Sequence, residues 1–315
     1  MVTKILVTGG CGFIGSNIVT RLLKEDKEVK VIDDLSSGNK NYIKSCLEKS
    51  KNCRFVKGSI TDLEFLEKEL NDMDLVIHEA ANPDVRASKD NLFRDFEINV
   101  IGTINILHAM IKNNVPKIIF ASSAGTVYGE AKIIPTPENT SLAPISHYGA
   151  SKAASEQYMT SFSSLYNIEA ISLRLGNIFG PPSNHGVMFD FYQKLKTNPQ
   201  KLEILGDGKQ IKTYLYVEDC VEAHIKAMEK KFQGHIAFNI TSSESITVNE
   251  IAIGVVDAMG LEKVEFSYTG GERGWAGDVR QAIPDISKAE KLLDWKPKIS
   301  TLEGIKRYIA WLQKQ

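Results

Sequence analysis

The sequence predicts an α/β fold: a doubly wound parallel sheet over residues 1–176, followed by a smaller mixed α/β unit over residues 177–315, part of which packs back on the first. Three observations predict it. Short apolar runs alternate with stretches of helical periodicity through the first half, the pattern of βαβ units. Those runs are continuously apolar rather than alternating, as parallel strands covered on both faces require. After Asn177 the alternation gives way to irregular segments punctuated by Gly180-Pro181-Pro182, Gly206-Asp207-Gly208 and Thr269-Gly270-Gly271.

Residues 4–8 form the first strand, because Ile5-Leu6-Val7 runs directly into Thr8-Gly9-Gly10. Residues 13–24 carry Ile14, Ile18 and Leu22 at helical spacing. Strands follow at 29–33, 54–57, 75–78, 117–121 and 168–174, with helical stretches between them and right-handed crossovers expected. Two helices are long, 91–113 and 147–166, and Pro135, Pro137 and Pro144 break the segment between them into an extended loop.

Composition narrows the function. The 315 residues carry 38 Lys+Arg and 39 Asp+Glu, a formal net charge of −1, which argues against a nucleic-acid partner. Four scattered cysteines, Cys11, Cys46, Cys53 and Cys220, make neither a disulfide framework nor a C-x-x-C zinc pair, and the six histidines show no H-x-x-x-H spacing, so no metal is expected. No run approaches the roughly 18 apolar residues of a membrane span, and the first residues do not read as a secretory signal. A cytoplasmic location is the expectation.

Gly10-Cys11-Gly12-Phe13-Ile14-Gly15 fits G-x-G-x-x-G between a strand and a helix, with Gly9 giving a second phase. Glycines there allow a tight turn and close approach of backbone to a pyrophosphate, and the helix N-terminus offers free N–H groups. Asp33 ends the next strand, 18 residues beyond Gly15, where a carboxylate can accept both ribose hydroxyls of an adenosine. The unit is therefore of the Rossmann type. Asp34 follows, without a nearby Arg or Lys, so a 2′-phosphate would be repelled and NAD is favoured over NADP. Tyr148 and Lys152 stand four apart, on one face of a helix. A lysine ammonium favours a phenolate over a phenol, so the expectation is a tyrosine pKa lowered toward the range of a general base.

Together these segments resemble the extended short-chain dehydrogenase/reductase superfamily, in its nucleotide-sugar epimerase/dehydratase branch. The residues carrying the resemblance are Thr8–Gly15, Asp33-Asp34-Leu35-Ser36-Ser37-Gly38, Val76-Ile77-His78-Glu79-Ala80-Ala81, Asn99-Val100-Ile101-Gly102-Thr103, Thr126-Val127-Tyr128-Gly129, Tyr148–Lys152, Arg174–Pro181 and Asp285–Ala289. The resemblance implies NAD held by Gly9, Gly12, Phe13, Ile14, Gly15, Asp33, Asp34, Ser36, Ser37, Gly38, Ser59, Ile60, Ala80, Ala81 and Asn99, with Tyr148 as base and Lys152 on the nicotinamide ribose. Ser59 stands where the family often has Asp, which removes an acceptor carboxylate beside the adenine. A catalytic hydroxyl is implied near the end of the fifth strand. Counting back from Tyr128 selects Ala124, which has none; counting forward from Phe120 selects Ser123, with Thr126 as the alternative.

On the substrate side the resemblance implies Asn177, Val187, Lys212, Tyr214, Arg273 and Asp278 around a nucleotide-diphosphate sugar, UDP ahead of other nucleotides. Lys212 takes a place usually held by Arg, and it cannot form a bidentate fork. Ala124-Gly125-Thr126 offers no carboxylate for eliminating water. The implied activity is therefore an NAD-dependent 4-epimerase of the UDP-glucose/UDP-galactose kind, an isomerase. A dehydratase or reductase of the same branch, or a non-catalytic NAD-binding protein, is the alternative. The two long helices stand where members of the family pair as homodimers.

Overall fold

In the computed structural model, which describes residues 3–83, 85, 91–271 and 279–315, the first parallel pair is β1 (Lys4–Thr8) and β2 (Glu28–Asp33), joined over α1 (Phe13–Lys24). α2 (Lys44–Lys49) leads to β3 (Cys53–Lys57), which adds outward on β2, and α3 (Leu63–Glu69) leads back to β4 (Leu75–His78) on the other side of β1. α4 (Leu92–Asp95) and α5 (Gly102–Lys112) precede β5 (Lys117–Ser123); α6 (Ala124–Val127) and α7 (His147–Tyr166) precede β6 (Glu169–Leu175). The strand order reverses between β1 and β4, and such a switch point opens a crevice at the carboxyl ends of the strands.

The chain then leaves the sheet through β7 (Asn177–Phe179), α8 (Val187–Thr197), β8 (Lys201–Ile204) and β9 (Ile211–Tyr216). It returns as α9 (Val217–Glu229) and β10 (His235–Ile240), and β10 pairs parallel to β6 as a seventh strand, with Phe238 opposite Leu173. The alternation of the first half does not announce this strand. The remainder comprises β11 (Ser245–Thr247), α10 (Val248–Ala258), β12 (Glu265–Tyr268), β13 (Gln281–Ala282), α11 (Ser287–Leu293) and α12 (Thr301–Leu312). A small sheet forms around β9, which pairs with β7, β11 and β13.

Burial explains why the strands read as unbroken apolar runs. Ile5 and Val7 face Ile18, Val19 and Leu22 of α1 together with Cys220 and Val221 of α9. Leu6, between them, belongs to the opposite layer with Ile106, Leu107 and Met110 of α5. Each such side chain taken from water contributes about 1.5–3 kcal/mol. A third core, built on Phe191, Leu195, Ile251, Val255, Ile305 and Tyr308, packs the smaller unit.

The expected continuous helix over 91–113 is interrupted by a wide π-turn, Phe96–Ile101. The Asn99 carbonyl there accepts from Thr103 Oγ1 at 2.5 Å and from Ser155 Oγ at 2.9 Å, so side chains of two helices supply its hydrogen bonds. Among the described residues no helix is long and apolar enough to cross a membrane.

Candidate active site

A cavity of about 770 Å³ opens at the carboxyl ends of the strands. Its floor is the turn from β1 into α1. Gly9 has φ +67°, and a Cβ on it would lie 2.6 Å from the Ala80 nitrogen; a Cβ on Gly15 would collide with the Gly9 carbonyl. The turn is thus closed so tightly that only glycine fits. No side chain caps α1, whose first residues, Phe13, Ile14 and Gly15, line the cavity. Such uncapped first-turn amides are the donor set that an anionic diphosphate needs.

Asp33, at the end of β2, is 8% exposed. Its carboxylate accepts from the Leu35 amide at 2.8 Å and the Cys11 amide at 3.0 Å, which aims it across the phosphate turn. Burial raises its pKa, against those two amides, and Asp34 adds to the rise. Asp34, Ser36, Ser37 and Gly38 continue this wall, Ser59 and Ile60 come from the end of β3, and Ala80 and Ala81 from the end of β4. These residues fit a dinucleotide: glycine turn, free amides, ribose carboxylate and an apolar slot lie in one continuous cavity.

Tyr148 and Lys152 reach the same cavity from α7, whose start is set by Ser146 Oγ accepting from the Gly149 amide at 3.1 Å. Lys152 Nζ donates to the Ala121 carbonyl at 2.8 Å and sits 5.8 Å from the Tyr148 ring centre. The expected lowering of the tyrosine pKa is overturned for the protein by itself. Burial, then Asp95 and Glu79, push the Tyr148 phenol up, so it is neutral at pH 7. The water-poor pocket and two carboxylates outweigh one ammonium. Burial lowers Lys152 to about 8, against the opposing pull of Glu79, Asp95 and Glu156.

Ser123, the last residue of β5, lines the cavity, whereas Ala124 is buried at the start of α6. The short helix α6 takes up the extra residue that makes the two counts disagree. The Thr126 hydroxyl is buried without a hydrogen-bond partner and does not line the cavity. Asn99 is 1% exposed and lies behind the cavity wall. It accepts from the Asn82 amide at 2.8 Å and donates to Ser151 Oγ at 2.9 Å.

The substrate-side residues are less gathered. Asn177 and Tyr214 are register neighbours in β7 and β9, and the Asn177 amide donates to the Thr213 carbonyl at 3.0 Å. Lys212 lies on β9 opposite Ile246, and Val187 opens α8. None of the four lines the 770 Å³ cavity. Arg273 and Asp278 lie outside the described residues.

Sequence reasoning missed several lining residues, among them Tyr42, Asn82, Arg94 and His185. It also missed a buried pair. Glu79 lines the cavity and accepts from His224 Nε2 at 2.9 Å, while His224 Nδ1 lies 2.9 Å from the Cys220 carbonyl. With both ring nitrogens facing acceptors, the imidazole is held as a cation. Burial opposes this, but Glu79 and the Cys220 contact lift its pKa well above the usual 6.5. Only the acidic residue within His78-Glu79-Ala80-Ala81 could have signalled it.

Known proteins are similar to this chain in sequence and in fold. The profile of the NAD dependent epimerase/dehydratase family matches residues 5–241. A putative UDP-glucose 4-epimerase of Methanocaldococcus jannaschii is 40% identical over 314 residues, covering 98% of both chains. The structure of a UDP-glucose 4-epimerase from Thermotoga maritima with UDP-glucose superposes with a TM-score of 0.89 at 36% identity, over 98% of both chains. That of a Thermus thermophilus UDP-glucose 4-epimerase in complex with NAD gives 0.88 at 30% identity, over 99% of both.

Proposed function

The chain belongs to the NAD dependent epimerase/dehydratase family, and on that premise we propose that it is a 4-epimerase of a UDP-sugar, of the UDP-glucose/UDP-galactose kind. One observation carries the reading: Ser123, Tyr148 and Lys152 open into the same cavity as the glycine turn and Asp33, and no carboxylate follows Ser123. NAD, held by the Gly9–Gly15 turn, Asp33 and Lys152, would supply the hydride acceptor and donor for the sugar C4. Tyr148 takes the proton of the 4-hydroxyl and gives it back, and Ser123 holds that oxygen. The Tyr148 phenol, neutral in the protein by itself, would take this part as the phenolate, with the Lys152 ammonium favouring that form. Lys152 binds the nicotinamide ribose, its position fixed by the Ala121 carbonyl. The 4-keto sugar exposes its other face before reduction. A dehydratase would need an acid–base carboxylate that Ala124-Gly125-Thr126 does not offer.

Residues 1–176 are the cofactor unit in this reading. Residues 177–315 supply the cap that takes the nucleotide sugar through Asn177, Val187, Lys212, Tyr214, Arg273 and Asp278, while α9 and β10 pack back on the cofactor unit. The active form is a homodimer across α4, α5 and α7. Supporting this, Phe93 is 72% and Leu165 70% exposed, with Phe96, Ile101, Tyr158 and Tyr166 also exposed on those helices and the π-turn. The site of action is the cytoplasm, in keeping with four free cysteines.

The test is to incubate the NAD-loaded protein with UDP-glucose, UDP-N-acetylglucosamine or UDP-glucuronate and follow C4 inversion by NMR. A deoxy-keto product, or stoichiometric release of NADH, overturns the assignment. Tyr148→Phe should abolish inversion while NAD stays bound. Sedimentation of Phe93→Glu/Leu165→Glu should show a monomer; an unchanged dimer refutes the interface.

A further inference from the structure

Three carboxylates, Glu79, Asp95 and Glu156, act on the Lys152 charge, and two of them are answered by cations of their own. Glu79 is paired with His224 at 2.9 Å, and Glu156 with Arg174 at 2.6 Å. The third, Asp95, is 1% exposed. Its Oδ1 accepts from Asn82 Nδ2 at 2.8 Å, while its Oδ2 is buried without any hydrogen-bond partner. Among the described residues no cation stands at ion-pair distance from it. A carboxylate placed this way is costly unless a charge nearby compensates it.

We propose that Asp95 is the counter-charge of the Tyr148–Lys152 pair, a positioning residue that keeps the Lys152 ammonium ionised in a cavity wall short of water. A hydrogen-bonded chain ties it to the same turn of α7. Asn82, which holds Asp95, donates its amide to Asn99 Oδ1 at 2.8 Å. Asn99 Nδ2 donates to Ser151 Oγ at 2.9 Å, and Ser151 Oγ donates to the Tyr148 carbonyl at 2.7 Å. This chain ties the carboxylate to the backbone of α7 at Tyr148, one turn before Lys152.

Glu79 acts on Lys152 more strongly than Asp95 does, but Glu79 and Glu156 each face a cation of their own and Asp95 does not. On β4, Glu79 shares its charge with His224 of α9, and His78, lowered to about 3 by burial and by Lys152, is neutral. On α7, Glu156 is neutralised by Arg174 of β6, which also binds the Tyr128 hydroxyl at 2.7 Å. On the side of Asp95 itself, Arg94 is exposed and lines the cavity. The sign follows: a negative charge beside the pair favours protonated Lys152 and neutral Tyr148, and removing it lowers both pKa values.

The test titrates Lys152 in the ligand-free, full-length protein by the ¹³Cε shift of labelled lysine, with Lys152→Arg identifying the resonance. Asp95→Asn should lower the midpoint by about one pH unit, the low end of the shift of about 1–3 units that a nearby opposite charge gives. Asp95→Ser, smaller but still able to accept from Asn82, carries the same expectation should the Asn variant not fold. Asp95→Glu should restore the midpoint. An unmoved midpoint in a folded Asn or Ser variant overturns the proposal. The consequence for turnover rests on the 4-epimerase reading: the acid limb of kcat/KM should move to lower pH in the same variants. A lower rate at every pH with an unmoved limb marks a merely structural role and also overturns it. The titration of Lys152 needs no sugar, so failure of the epimerase reading leaves it intact.

Discussion

Replacing Glu156 with alanine removes one member of a buried ion pair at the back of the site. Glu156 is 1% and Arg174 6% exposed. The carboxylate accepts from Arg174 Nε at 3.0 and 3.1 Å, from Nη2 at 2.6 Å, and from the Ser122 hydroxyl. Without it, Arg174 keeps the Tyr128 hydroxyl at 2.7 Å and the Glu138 carbonyl at 2.9 Å, but its charge is uncompensated. Breaking a buried pair from one side costs about 3–5 kcal/mol. Glu156→Gln retains shape and one acceptor, and should cost less, about 1–3 kcal/mol. The double variant Glu156→Met/Arg174→Met removes both charges and should recover most of the loss. Urea unfolding followed by circular dichroism reads all three. A loss under about 1 kcal/mol for Glu156→Ala, or a double variant no more stable than the single, would refute the reasoning.

Three further outcomes are expected. Gly15→Ala puts a methyl into the Gly9 carbonyl and should abolish NAD binding, measured by calorimetry; retained micromolar affinity contradicts the tight turn. Asp33→Ser should narrow the preference for NAD over NADP at least tenfold, read from the two dissociation constants, because it removes the carboxylate that a 2′-phosphate would meet; an unchanged ratio places discrimination elsewhere. His224 is held cationic by Glu79, with its folded pKa raised above the unfolded value of about 6.5. The stability it contributes is therefore complete below that value and is lost as pH rises through the folded pKa. Thermal melts should show an alkaline loss that Glu79→Gln abolishes, and a loss of equal size in both proteins rules the pair out as its cause.

Features written in short spacings were legible before the fold. Gly9–Gly15, Asp33 and the Tyr148/Lys152 step each lie on one turn or one helix face, so local sequence carries their geometry. Ser123 was legible only as one of two counts, because α6 takes up a residue in a way no periodicity records. The sign of the Tyr148 shift was not legible, since it depends on burial and on Asp95 and Glu79, 53 and 69 residues away. Asn82–Asp95, Glu79–His224 and Glu156–Arg174 are contacts between elements, and their residue types alone read as solvated surface. β10 was hidden for a similar reason: its partner β6 ends 60 residues before it begins.

That late strand has a consequence for how the chain acquires its shape. Until residue 240 has been made, β6 presents an unpaired edge with Ala170, Ile171 and Leu173 beside it, and the α1 face of the sheet lacks the cover of α9. Bare edges of this kind template pairing between chains. A ribosome must therefore extend well past the phosphate turn before the nucleotide-binding half can close. A fragment ending at residue 176 should aggregate, whereas one ending after residue 240 completes the seven-stranded sheet.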